Sequence, residues 1–149
     1  MRDIRFRGYN EEDKKWVYGA YIKHIDETPC LFSSEEDRKK WENEHIHHII
    51  AFDEFSDWWM PRNLTFYKDI NPDTIGQYIG LKDNQEKDIY EGDIIECILD
   101  DGKKEIYEVE FNEKTFCYQL VNDNNSINID FTLKSRIKVM GNKYEHKER

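Results

Sequence analysis

The sequence predicts a mainly β protein with one short helix. Three observations point there: short runs that alternate apolar and polar residues, turn signals arriving at intervals of roughly a dozen residues beyond Thr74, and a single stretch with helix-start chemistry. The alternation is plainest in Tyr107-Glu-Val-Glu-Phe111, where Tyr107, Val109 and Phe111 face opposite Glu108 and Glu110. A chain of 149 residues can bury a real core, and the aromatic share of 14% offsets a hydrophobic fraction of only 38%.

The elements follow in order. Ile4 and Phe6 alternate with Arg5 and Arg7, as in a half-buried strand that leaves the two arginines exposed. Asn10 to Lys15 is a polar turn, and Trp16 to Ile25, rich in aromatic and β-branched residues, returns to form a hairpin. Ser33 and Ser34 stand three residues before Glu36 and Asp37, a capping pattern that predicts a helix over Ser33 to Glu44 with Trp41 as its main apolar contact. His45 to Phe52 reads as a strand, residues 54–61 have no clear assignment, and Asn63 to Lys68 reads as a short strand. Asp69 to Thr74 is a connector, because Pro72 interrupts regular structure and Asn and Asp favour turns. The boundary between two lobes is therefore set here, giving an N-terminal β-rich lobe over 1–73 and a second lobe over 74–149.

Beyond Thr74, strands are predicted at Ile94 to Leu99, Ile106 to Asn112, Phe116 to Val121, Ser126 to Leu133 and Ile137 to Met140. In the fourth, Ile127, Ile129 and Phe131 point inward. A meander of this kind leaves exposed edges, and closure into an SH3-like small β-barrel would remove them.

Composition narrows the function. The longest apolar runs are a few residues, so no membrane helix and no apolar leader are expected. Cys30, Cys97 and Cys117 are odd in number and lack metal-knuckle spacing, which fits reduced thiols in a cytoplasm. The net charge of -10 is shared by both halves, an unfavourable start for binding phosphate backbones and a suitable one for meeting a basic protein.

Candidate chemistry is sparse. His45 and His47 would share one face of a strand and could offer two ligands to a metal, short of the three or four that zinc takes unless Asp53 or another residue joins them. The paired carboxylates sit in turns or a helix start, where nothing moves their pKa towards acid–base work. No hydrolase, kinase, phosphate-loop or dinucleotide motif is present, and no cofactor is called for. Trp58 and Trp59 are adjacent, so a strand would send them to opposite faces and expose one as an aromatic anchor for a partner. Arg5 and Arg7 are the best support for the alternative, nucleic-acid binding.

The segment Tyr78 to Ile95, YIGLKDNQEKDIYEGDII, carries the densest pattern. Residues 82–87 form a polar hairpin tip. Gly80 and Gly92 permit backbone closed to other residues, Asp93 can accept hydrogen bonds from nearby backbone N–H groups, Ile89 and Tyr90 anchor the returning segment, and Leu81, Asp83 and Glu91 complete the motif of the joint. This stretch closely resembles the signature of the YopX family of phage and prophage proteins, Q-Y-T-G-L-K-D-x-N-G-K-x-I-Y-E-G-D-I-V. Ile4 to Asn10 is similar to the family's opening I-K-F-R-A-W-D, and Val139 to Glu145 to its closing V-x-G-N-I-Y-E. Ile79 stands where the family has Thr, Gly8-Tyr9 where it has Ala-Trp, and Glu86 where the hairpin has Gly, which strains a turn that needs positive φ. The resemblance implies a mostly β fold and a mobile-element origin, with no catalytic residues to carry over. The expectation is a non-enzymatic accessory module of the bacterial cytoplasm that binds another protein and is free to self-associate.

Overall fold

The computed structural model describes residues 3–29, 31–52 and 66–145. Cys30, Asp53, Trp58, Trp59, the unassigned stretch 54–61 and the last four residues lie outside the described residues. The chain divides into two compact units, Arg5–Ile75, and Met1–Ile4 with Gly76–Arg149. It is mainly β, as the alternation predicts.

In the unit Arg5–Ile75, β1 (Phe6–Asn10) and β2 (Lys15–Ile25) form the first hairpin, and β3 (Ile46–Phe52) and β4 (Phe66–Asp69) extend the antiparallel sheet in the order β4-β3-β2-β1. Asn10 organises the first turn: its Oδ1 accepts from Asp13 N at 2.5 Å while its Nδ2 donates to Asp69 O at 2.6 Å. Val17, Ile50 and Ile70 are buried on one face of this sheet, with Phe6, Tyr21, Phe52 and Ile75 packed against them. β2 and β3 approach so closely at Gly19 that a Cβ there would stand 2.1 Å from the carbonyl oxygen of Ala51.

The one α-helix among the described residues, α1 (Glu35–His45), starts at an N-cap on Ser34, whose Oγ accepts from Asp37 N at 3.1 Å. It buries no residue. Trp41 stacks on His45 at 4.9 Å and tilts against Phe32 at 5.7 Å. His45 is the last helical residue and the extended backbone begins at Ile46, so His45 and His47 do not share a strand face as expected.

β5 (Asn71–Lys82) begins where a connector is predicted. Proline is tolerated near its start because side chains stand in for ladder bonds. Asn71 Oδ1 accepts from Asp73 N at 3.0 Å, and Thr74 Oγ1 donates to Asn71 O at 2.7 Å while accepting from Tyr9 N at 2.9 Å.

In the second unit, β5 continues into β6 (Asp88–Tyr90), and five strands follow: β7 (Asp93–Ile98), β8 (Lys104–Asn112), β9 (Cys117–Val121), β10 (Ser126–Asn128) and β11 (Ile137–Asn142). The first four make the predicted meander, and β11 returns to pair with β7, giving the order β10-β9-β8-β7-β11. Among the described residues the ladders run in this open order, with β10 and β11 at the edges. The core holds Ile89, Ile95, Cys97, Tyr107, Val109, Leu120, Leu133, Ile137 and Val139. The strand predicted over Ser126 to Leu133 stops at Asn128. Asp130 Oδ1 accepts from Thr132 N at 2.7 Å and caps a 3-10 helix, Phe131–Arg136. Leu133 therefore enters the core, and Phe131, expected inward, is 78% exposed.

Candidate functional site

The glycine-and-acid segment lies at the β5–β6 hairpin and the entry to β7. Tyr78 pairs with Tyr90 and Lys82 with Asp88, and a register shift falls between the two pairs, where Gly80 takes φ +87°. Leu81 packs against the core. The tip turns at Asp83, which is fully buried. Its Oδ1 accepts from Gln85 N at 2.8 Å and Lys87 N at 2.9 Å, and its Oδ2 from Val139 N at 2.9 Å. Burial pushes the Asp83 carboxyl up, but these three backbone donors outweigh it and hold the pKa below the ordinary value. Beside it, Asn84 N donates to Ile137 O at 3.1 Å. The tip thus satisfies an N–H and a C=O on the free edge of β11. Glu86 adopts φ +63°, the strained geometry expected for its place in the turn.

The return is held as tightly. The Tyr78 and Tyr90 rings meet at 5.6 Å, and Glu91 N donates to Gln77 O at 2.9 Å. Gly92, at φ +78°, donates to Val109 O at 2.8 Å and accepts from Lys143 N at 3.0 Å. Asp93 is buried, with Oδ2 accepting from Tyr90 N at 2.8 Å. Burial raises the Glu91 carboxyl pKa. Asp83 and Asp93 direct carboxylate oxygens at backbone N–H groups, an arrangement that stabilises turns.

The histidines form a different cluster. His45 Nδ1 lies 2.9 Å from Asp26 Oδ1 and His47 Nε2 lies 3.2 Å from Asp26 Oδ2, and these hydrogen bonds hold the Asp26 carboxyl below its ordinary range. His48 points to the other face, where Nδ1 meets Tyr21 OH at 2.8 Å, and burial followed by the nearby Lys23 lowers its pKa. Among the described residues no three His, Cys, Asp or Glu side chains gather in a way that would hold a metal ion.

The arginine pair is not the exposed feature that the alternation predicts. Arg7 is 5% exposed with its guanidinium 5.0 Å over the Trp16 ring, and Arg5 is half-buried. Strand parity holds, since register sets Arg7 opposite Tyr18 on the face away from Val17, but the Trp16 ring on that same face takes the guanidinium out of solvent.

A face missed from sequence lies on the other side of the first sheet. Register pairs Ala20 with Ala51, Ile22 with Ile49 and Ala51 with Tyr67, so these side chains share one face, and Tyr18 lies on it two residues before Ala20. Tyr18 is 49%, Ile22 44% and Tyr67 63% exposed. The signal was available: Trp16-Val-Tyr-Gly-Ala-Tyr-Ile22 is apolar at both parities, so it cannot be the one-sided strand that a solvent-facing sheet requires.

Among curated proteins none matches this chain. The crystal structure of protein EF1440 from Enterococcus faecalis is similar over 99% of this chain and 98% of its own, at 16% identity and a TM-score of 0.48. The hairpin tip bound to β11, the buried Asp93 and the left-handed Gly92 sit on the residues that carry the signature, and the family model described as YopX protein matches residues 5–149, essentially the whole chain: this protein belongs to the YopX family.

Proposed function

We propose that this protein is a non-enzymatic accessory module of phage or prophage origin that binds another protein in the bacterial cytoplasm. One observation carries the reading. Asp83 and Asp93 of its signature are occupied inside the fold by backbone N–H groups, while large apolar side chains such as Tyr67 and Phe131 stand in solvent. A net charge of -10 favours a basic partner. The burial of Arg7 over Trp16 removes a cation from the face that nucleic-acid binding would use, which supports a protein partner over that alternative. Trp58 and Trp59 are the aromatic contacts proposed from sequence. The test is affinity capture from host lysate on the immobilised chain, beside a charge-matched control protein and a Trp58→Ala/Trp59→Ala variant. A protein retained by the chain, absent from the control and lost from the variant is expected. Nothing retained over several salt concentrations overturns the proposal, and so does a low-salt gel shift with duplex DNA that outcompetes the captured protein.

A further inference from the structure

The face of the first sheet that carries the buried core also carries a polar cleft of about 430 Å³, within the size of small-molecule sites, roughly 300–1,000 Å³. Register builds it. Lys23 of β2 pairs with His48 of β3, both at the parity of the core pair Tyr21 and Ile50, and Ile70 joins the row by donating its N–H to His48 O at 2.9 Å. Ile46, Ile70 and Pro72 give the cleft an apolar lining, and Glu42 and Asn43 near the end of α1 border it from the helix. His47 and Asp69 border it too, but their parity sends both side chains to the other face of the sheet.

The charged groups of this face differ in what already holds them. The Glu42 carboxylate lies 3.8 Å from the Arg38 guanidinium one turn earlier, and Lys68, the lysine that shares this parity on β4, is 3.0 Å from Asp13. Lys23 forms no ion pair among the described residues. Its ammonium acts on the neighbouring imidazole instead: burial and then Lys23 hold the His48 pKa below the ordinary value. Tyr21 OH occupies His48 Nδ1 at 2.8 Å, which leaves Nε2 for a ligand. A carboxylate between Lys23 Nζ and His48 Nε2 turns repulsion across a strand pair into two charge-assisted bonds, and the apolar lining beside them takes the rest of the molecule. A cation meets the unmatched lysine and a carboxylate already matched by Arg38. An inorganic anion leaves Ile46 and Pro72 uncovered.

We propose that this cleft binds a small organic acid as its anion, the carboxylate on Lys23 and His48 and an apolar body against Ile46, Ile70 and Pro72. The inference concerns a ligand site and stands apart from the protein-binding reading above.

The experiment follows the His48 ring signals of the full chain by NMR while phenylacetate is added, with acetate, benzylamine and inorganic phosphate as comparison probes. Phenylacetate is expected to shift those signals to saturation and to bind about tenfold or more tightly than acetate, which lacks the apolar body, or benzylamine, which reverses the charge. Lys23→Gln, a change at an exposed side chain, should weaken it about tenfold, and Lys23→Glu should abolish it. An anion favours the imidazolium form, so bound phenylacetate should raise the His48 pKa, and affinity should increase as pH falls from about 8 to about 6. Equal affinity for benzylamine, a shift that never saturates, or unchanged affinity in Lys23→Gln overturns the proposal. So does phosphate binding more tightly than phenylacetate, which would assign the cleft to an inorganic anion. A short peptide ending in Phe with a free carboxylate that displaces phenylacetate at lower concentration also overturns it, by assigning the cleft to a protein C-terminus.

Discussion

A single carboxylate does much to close the second unit. Asp83 accepts three backbone N–H bonds within its own turn and from β11, all from a fully buried position. Asp83→Ala would leave buried donors without acceptors and should lower unfolding free energy by about 3 kcal/mol or more, read by urea denaturation. Asp83→Asn, which keeps one acceptor oxygen, should lose less. Glu86 tests the opposite sign. A non-glycine residue at φ +63° is strained, and its exposed ion pair with Lys134 returns little. Glu86→Gly, which restores the residue of the family pattern, should stabilise by about 0.5–1 kcal/mol, seen as a higher melting temperature. That strain was legible in sequence, because an L-residue standing where a turn pattern has glycine implies it. The burial of Arg7 was not legible, because its contact with Trp16 exists only once the hairpin closes.

At the level of elements, α1 stands on local chemistry. Its acidic first turn and Ser34 cap suit the helix dipole, yet no residue of the helix is buried, so tertiary packing adds little to its stability. Ser34→Ala should remove about 1 kcal/mol from the helix alone. Hydrogen exchange is expected to speed up across Glu35–His45 with no change over β7 and β8. The helix and the alternating strand β8 could be read directly, since period and caps are local signals. The end of β10 could not: Ile127, Ile129 and Phe131 continue a strand pattern, and only the cap that Asp130 makes with Thr132 turns the chain into a 3-10 helix. Likewise Pro72 suggested a break because the side-chain bonds of Asn71 and Thr74 that accommodate it are tertiary facts.

Across the whole molecule, titration should bound stability on both sides. The folded pKa of His48 is lowered, so the unfolded chain binds its proton more readily and stability should begin to fall as pH drops below about 6.5. Asp83 and Asp26 are depressed as well. Their contribution is present above the unfolded carboxylate value and is lost as pH falls below about 4. At the alkaline end, burial and then the bond to Glu105 push Tyr107 up to about 12, so the folded chain holds that proton more tightly and stability should decline once pH passes about 10. Melting temperatures across this range should trace a plateau between the two limbs, and Tyr107→Phe should flatten the alkaline one. The hairpin tip has a further consequence at this scale. By occupying the border of β11 with Asp83 and Asn84, it acts as a safety catch against templated stacking of one molecule on the next. A chain nicked by a protease at Gln85 would keep most of its packing but lose that catch, and fibre growth from an otherwise folded protein is the outcome to look for.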